Sequence, residues 1–300
     1  MRFSKTLLSS VLALSTAGCY SATFDENADA VFACTITDNA EPDADCPGSM
    51  VCNGSVCVEE APTATVMNPE DRNAVAEGTA VTVTIQTSGF DFSSDDDDPD
   101  AGFLQVSFDN ELFEVREGAG GLLTFEFDQP LTPGPHRIAV QVFRADGTPF
   151  GNDEASDTRL FWVDNGEPHV AITKPWPGSQ FDTQSSDPVE VEVAVLNFRY
   201  GAANTDIEDG IGHVHVYYDQ PFPDCAEDPT CDAGYIGVVS AAPEEAALGL
   251  DLLSSSVILP EGAVGDDTLS AVLRQNDHAA LTNSDGDFVV DTIEIERTAD

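Results

Sequence analysis

The chain has 300 residues, with 55 acidic against 11 basic side chains and a formal charge of −44 at pH 7. A surface this negative repels nucleic-acid phosphates and anionic lipid headgroups, which excludes DNA, RNA and peripheral membrane binding and leaves cations as natural partners. The hydrophobic content of 41%, with 17 Phe, excludes a high-charge disordered chain, and the length points to about two domains.

Arg2 and Lys5 form a positive n-region, Leu7 to Leu14 an apolar stretch too short to span a bilayer, and Ser15-Thr16-Ala17-Gly18 a run of small residues before Cys19. Residues 1–18 are therefore expected to be a secretory signal peptide. Its end resembles the bacterial lipobox, with Ala17 and Gly18 matching, which implies cleavage before Cys19 and a lipid-modified N-terminus. Thr16 stands where leucine is usual, and ordinary export with cleavage nearby is the alternative. Tyr20 rather than an aspartate follows the cysteine, which points to the outer membrane of a Gram-negative cell, on its periplasmic or surface side. No later apolar run approaches the ~18 residues that a membrane helix needs, so the lipid is the expected membrane contact.

Residues 19–33 are polar and acidic and read as a tether. Residues 34–58 hold Cys34, Cys46, Cys52 and Cys57 among turn formers such as Asp45-Cys46-Pro47-Gly48 and Cys52-Asn53-Gly54-Ser55. Too short to bury a core, this segment is expected to be held by disulfides, and Cys225 with Cys231 to form a further one. The intervals of eleven, five and four residues include no C-x-x-C pair, which argues against zinc there. The segment is similar to small cysteine-rich modules in surface proteins of myxobacteria and their relatives. Four cysteines allow three pairings, and Cys34–Cys52 with Cys46–Cys57 is the expected one.

Beyond the linker Glu59-Glu60-Ala61-Pro62, the chain runs through one pattern twice. Pro62-Thr63-Ala64-Thr65-Val66-Met67-Asn68-Pro69 answers to Pro168-His169-Val170-Ala171-Ile172-Thr173-Lys174-Pro175. Ala80 to Thr87 and Pro188 to Leu196 both alternate β-branched with polar residues, the period of a strand with one buried and one wet face. Gly102 to Asn110 aligns without gaps on Gly212 to Gln220, and Gly134 to Asp146 on Gly265 to Asp277; closing strands are expected at Arg159 to Val163 and Phe288 to Ile295. Short alternating strands with no helical period predict an all-β chain, two β-sandwiches in tandem over residues 62–165 and 167–298. The pattern resembles bacterial immunoglobulin-like domains, which implies that fold for each copy. The second copy is longer, through an expected insertion from Asp219 to about Leu250.

No G-x-S-x-G elbow, phosphate loop, H-E-x-x-H helix or dinucleotide fingerprint occurs, so no enzyme is expected. Clustered carboxylates at Asp95, Asp96, Asp97, Asp98 and Asp100 offer oxygen ligands for calcium, but without the ordered spacing of a calcium loop a solvated loop is the plainer reading. His213 and His215 lie two apart on one strand and share a face opposite Val214, Val216 and Tyr218, which predicts that they point outward into solvent. Antiparallel pairing of that strand with Thr268 to Arg274 brings His278 to the same end, with Asp277 and Glu208 nearby. Imidazoles so spaced suit copper or zinc, while another small-ligand or protein contact and ordinary solvent-facing histidines are the alternatives. Gly210-Ile211-Gly212-His213-Val214-His215 with His278 also resembles a family of exported bacterial domains of uncharacterised function that carry a G-x-G-H-x-H strand and a later histidine, which implies a shared site but no named ligand.

The sequence thus predicts an acidic lipoprotein, anchored through Cys19, with a non-catalytic binding or structural role toward cations or a protein or glycan ligand. The alternatives are a copper- or zinc-binding protein using His213, His215 and His278, and a hydrolase whose carboxylates cannot be singled out.

Overall fold

A computed structural model describes residues 61–93, 101–109, 121–127, 130–183, 187–201, 210–219, 233–241 and 251–299, with short strands at 21–23, 31–33, 51–52, 57–58 and 111–115. The first strands are β1 (Ser21–Thr23), β2 (Val31–Ala33), β3 (Val51–Cys52) and β4 (Cys57–Val58); β1 pairs with β2, and β3 with β4. The β3–β4 register sets Cys52 opposite Cys57, whereas Cys19, Cys34, Cys46, Cys225, Cys231 and the carboxylates Asp95 to Asp98 and Asp100 lie outside the described residues.

Nine strands follow in the first copy: β5 (Thr63–Asn68), β6 (Ala74–Ala76), β7 (Thr82–Ser88), β8 (Asp91–Phe92), β9 (Ala101–Phe108), β10 (Glu111–Val115), β11 (Leu122–Glu126), β12 (Gly134–Arg144) and β13 (Ser156–Asp164). The second copy repeats them as β14 (His169–Lys174), β15 (Gln180–Asp182), β16 (Val189–Leu196), β17 (Arg199–Tyr200), β18 (Ile211–Tyr218), β19 (Tyr235–Val239), β20 (Leu252–Val257), β21 (Gly265–Gln275) and β22 (Val290–Thr298). In each copy a three-stranded sheet, β11-β7-β5 or β20-β16-β14, faces a sheet of six. The larger sheet runs β10-β9-β12-β13-β6 with β8 on β9, or β19-β18-β21-β22-β15 with β17 on β18. This is the layering of an immunoglobulin-like sandwich, and the protein is all-β as expected. The chain divides into two compact units, one of residues 1–71, 80–129 and 137–159, the other of residues 72–79, 130–136 and 160–300. No helix among the described residues is long and apolar enough to cross a membrane.

The duplication reaches individual hydrogen bonds. Asp157 Oδ2 accepts from the Val66 amide at 2.9 Å, and Asp291 Oδ2 from the Ile172 amide at 2.7 Å, each beside a register shift in the first strand of its copy. These carboxylates satisfy backbone donors that the ladder leaves open there. Two expectations change. Tyr235–Val239 inside the expected insertion is the counterpart of Glu111–Val115 in strand order, so part of that stretch belongs to the frame; and the last strand runs Val290–Thr298, later than Phe288 to Ile295.

The core of the second sandwich holds Val170, Ile172, Val191, Val193, Val214, Val216, Leu269, Ala271, Leu273, Ile293 and Ile295. Strand β12 alternates buried and half-buried positions in period two, with Ile138, Val140 and Val142 inside. Strand β18 does not alternate, because from Gly212 to Tyr218 every residue is buried.

Candidate metal centre

The register of β18 on β21 pairs Gly212 with Gln275, His213 with Arg274, His215 with Val272 and Tyr217 with Ser270. Gly212 is required by this pairing, since a Cβ there would lie 1.9 Å from the Arg274 carbonyl oxygen. Gly102 meets the same demand in the first copy, where the Phe143 carbonyl oxygen would be 2.4 Å away. This glycine of the G-x-G-H-x-H pattern therefore serves the sandwich, whereas the histidines of the pattern have no counterpart in the first copy.

Val214, Val216 and Tyr218 point into the core, so His213, His215 and Tyr217 occupy the opposite face, as strand alternation requires. That face is not open to solvent, which corrects the outward-pointing expectation: His213 is 0% and His215 7% exposed. The rings are covered by one another and by neighbouring side chains. His278 packs edge-on to His213 at 4.6 Å between centroids, and Tyr235 sits 5.0 Å from the His215 ring.

His278 arrives from the turn after β21. Its amide donates to the Gln275 carbonyl at 2.9 Å, the Gln275 amide to Ala279 at 2.9 Å, and Asp277 Oδ1 accepts from the Ala279 amide at 3.0 Å. This turn needs a left-handed residue at its fourth position, and His278 has φ 69°. In the equivalent turn of the first copy Gly147 takes that position at φ 87°, with matching bonds from Gly147 to Arg144 and from Arg144 to Thr148. Glycine adopts this conformation freely, while a side chain there costs roughly 1 kcal/mol or more.

Three ring nitrogens converge. His215 Nε2 lies 3.1 Å from His213 Nε2 and 3.1 Å from His278 Nδ1, and all three donor atoms fall within 4.8 Å of one another. A ring nitrogen carries either one proton or one in-plane lone pair, so His215 Nε2 cannot make good hydrogen bonds to both neighbours. A tetrahedral ion with bonds of 2.0–2.1 Å sets its ligand nitrogens ~3.3 Å apart, close to the two 3.1 Å spacings at His215 Nε2. His213 Nδ1 is buried without a hydrogen-bond partner.

Burial, reinforced by His278 and Arg274 and opposed by Asp277, lowers the His213 pKa to about 4. Burial together with His213, Arg274 and His278 lowers that of His215 to about 3. Both rings are therefore neutral at physiological pH, the only form in which imidazole binds a metal ion. Exposed Asp277 stands beside the cluster, and Glu208 lies outside the described residues. Sequence reasoning missed Tyr217 and Arg274. Arg274 is 1% exposed; its Nη2 donates to Tyr217 Oη at 2.7 Å and its Nη1 to the His278 carbonyl at 3.0 Å. Tyr217 Oη in turn lies 3.3 Å from His215 Nδ1. The available signals were Tyr217 in step with the two histidines, and one arginine directly after Ala271-Val272-Leu273.

No protein-family model matches the chain, and none of the curated proteins does. Among solved structures it is similar to the fibronectin(III)-like modules of Clostridium thermocellum CbhA, at 13% identity over 79% of this chain and 95% of that one, with a TM-score of 0.24. The tandem Ig repeats of Dlar match at 11% identity over 80% and 100%, with a TM-score of 0.23. A tandem of titin Ig domains matches at 8% identity over the same shares, with a TM-score of 0.22. At these scores the fold assignment rests on strand order alone.

Proposed function

We propose that this protein is an exported, lipid-anchored binding protein whose second sandwich holds a copper or zinc ion on His213, His215 and His278. The observation that carries this reading is the convergence of three imidazole nitrogens, two of the spacings being 3.1 Å, on a buried face. Neutral imidazole suits copper and zinc better than hard cations, and the charge of −44 raises the local cation concentration. Anchoring through Cys19, the kinship with myxobacterial surface lipoproteins and the relation to the G-x-G-H-x-H family belong to the same proposal. A binding role rather than a catalytic one agrees with the absence of any catalytic motif in the sequence.

The test is calorimetric titration of the purified chain with zinc(II) and copper(II), in excess magnesium to occupy exposed carboxylates. One ion per chain is expected for wild type and for His169→Ala, and at least ~100-fold weaker binding for His215→Gln. Identical isotherms for wild type and His215→Gln would overturn the proposal.

A further inference from the structure

We infer that Tyr217, held by Arg274, is a positioning residue whose oxygen accepts the Nδ1 proton of His215 when the ring gives its Nε2 lone pair to the metal ion; this rests on the metal-binding reading above. A guanidinium only donates hydrogen bonds, so the 2.7 Å contact from Arg274 Nη2 fixes Tyr217 Oη as acceptor on one side. The phenol keeps a second lone pair and one proton, and His215 Nδ1 faces them at 3.3 Å. Two arrangements follow. Either Tyr217 donates to Nδ1, which puts the His215 proton on Nε2 among the other two rings, or His215 Nδ1–H donates to Tyr217, which leaves the Nε2 lone pair free.

Without metal the first arrangement supplies a proton to one of the 3.1 Å contacts. Metal binding selects the second. The proton leaves Nε2 and an equivalent one arrives at Nδ1 by exchange with water, the Tyr217 hydroxyl rotates away, and His215 stays neutral with no net proton released. The outer partner thus does for this ring what a carboxylate or carbonyl does behind other metal-bound histidines. Arg274 adds a second function with its other arm: by holding the His278 carbonyl at 3.0 Å it fixes the turn that delivers the third ligand.

The first sandwich supports the assignment independently. The positions of Tyr217 and Arg274 are taken there by Ser107 and Phe143, so the frame needs neither a buried phenol nor a buried guanidinium. Removing a guanidinium from water is costly until its new partners compensate, and this chain has only 11 basic residues to place. Both groups occur where the three histidines occur, and their polar atoms reach two of them.

The experiment is zinc titration of Tyr217→Phe beside wild type and His215→Gln, with long-range proton–nitrogen NMR of the His215 ring and urea melts of the metal-free proteins. Tyr217→Phe should keep one site per chain and bind zinc about 10- to 100-fold more weakly. In zinc-loaded wild type the His215 proton should sit on Nδ1. Tyr217→Phe binding zinc as wild type does, while His215→Gln does not, would overturn the role of Tyr217 and leave the metal site standing. No zinc binding by wild type would overturn both. If Tyr217→Phe fails to fold, the wild-type spectrum decides: a proton on His215 Nε2 in the zinc-loaded protein contradicts the inference.

Discussion

The two sandwiches are one frame with two different outer faces. Inward positions remain apolar in both: Leu104, Val106 and Phe108 answer to Val214, Val216 and Tyr218, and Ile138, Val140 and Val142 to Leu269, Ala271 and Leu273. On the other face, Phe103, Gln105, Ser107, Phe143 and Gly147 of the first copy become His213, His215, Tyr217, Arg274 and His278. The first copy fills that space with a stack of Phe103 on Phe143, centroids 5.3 Å apart, and with Gln141 bonded to the carbonyls of Val142, Phe150 and Ala155. An aromatic plug is a complete packing solution. Replacing it with three imidazoles, a phenol and a guanidinium removes apolar contact and buries titratable groups, a change that folding alone does not reward. The difference teaches that the second copy carries a buried cluster of polar rings and a guanidinium on a frame that closes without them.

The largest test of that comparison is acid stability without metal. An unfolded histidine titrates near 6.5, whereas folding holds His213 at about 4 and His215 at about 3. The unfolded chain therefore binds more protons between these values, so the stability present above pH 6.5 is lost as pH falls toward 4, on the order of a few kcal/mol for each ring. Urea midpoints at pH 7 and pH 4.5 should show this loss in wild type and a smaller one in His213→Phe/His215→Gln, which restores the first-copy residues. Parallel losses in both proteins would break the comparison.

A smaller effect is expected from His278→Gly, which gives the second turn the residue of the first. Relief of the left-handed backbone should stabilise the metal-free protein by up to ~1 kcal/mol while zinc binding is lost. Destabilisation by a kcal/mol or more in the same urea melt would show that the His278 side chain holds the fold. The smallest effect concerns the charge that both sandwiches share. Screening over ~10 Å at 0.1 M salt should raise the melting temperature by a few degrees between low and moderate sodium chloride, and a fall would contradict self-repulsion as a destabilising term.

The fold was largely legible. Period-two alternation in Ala80 to Thr87 and Pro188 to Leu196, with Gly and Pro turns between, marks strands, because side chains on a pleated backbone must alternate faces. The ungapped match of Gly102 to Asn110 with Gly212 to Gln220 placed β9 and β18 in equivalent positions, and the structure gives them equivalent registers on β12 and β21. Tyr235–Val239 was hidden, since a strand after a long and differently composed connection leaves no ungapped match to follow. The site was half legible: spacing and expected pairing brought His213, His215 and His278 to one end of the sheet, but not their burial.

What the sequence determined by itself is what depends on neighbours along the chain: the strands, the duplication, the acidity, and the shared face of residues two apart. Tertiary structure alone decided that this face is covered, that Tyr217 and Arg274 stand behind the rings, and that His215 Nε2 meets two other nitrogens at 3.1 Å. Alternation assigns a side chain to one of two faces, but whether that face meets water depends on side chains delivered by β19, β21 and the turn at His278, from up to 63 residues away. Desolvation, which lowers the pKa values of His213 and His215, is a property of that assembled neighbourhood and of no segment in it.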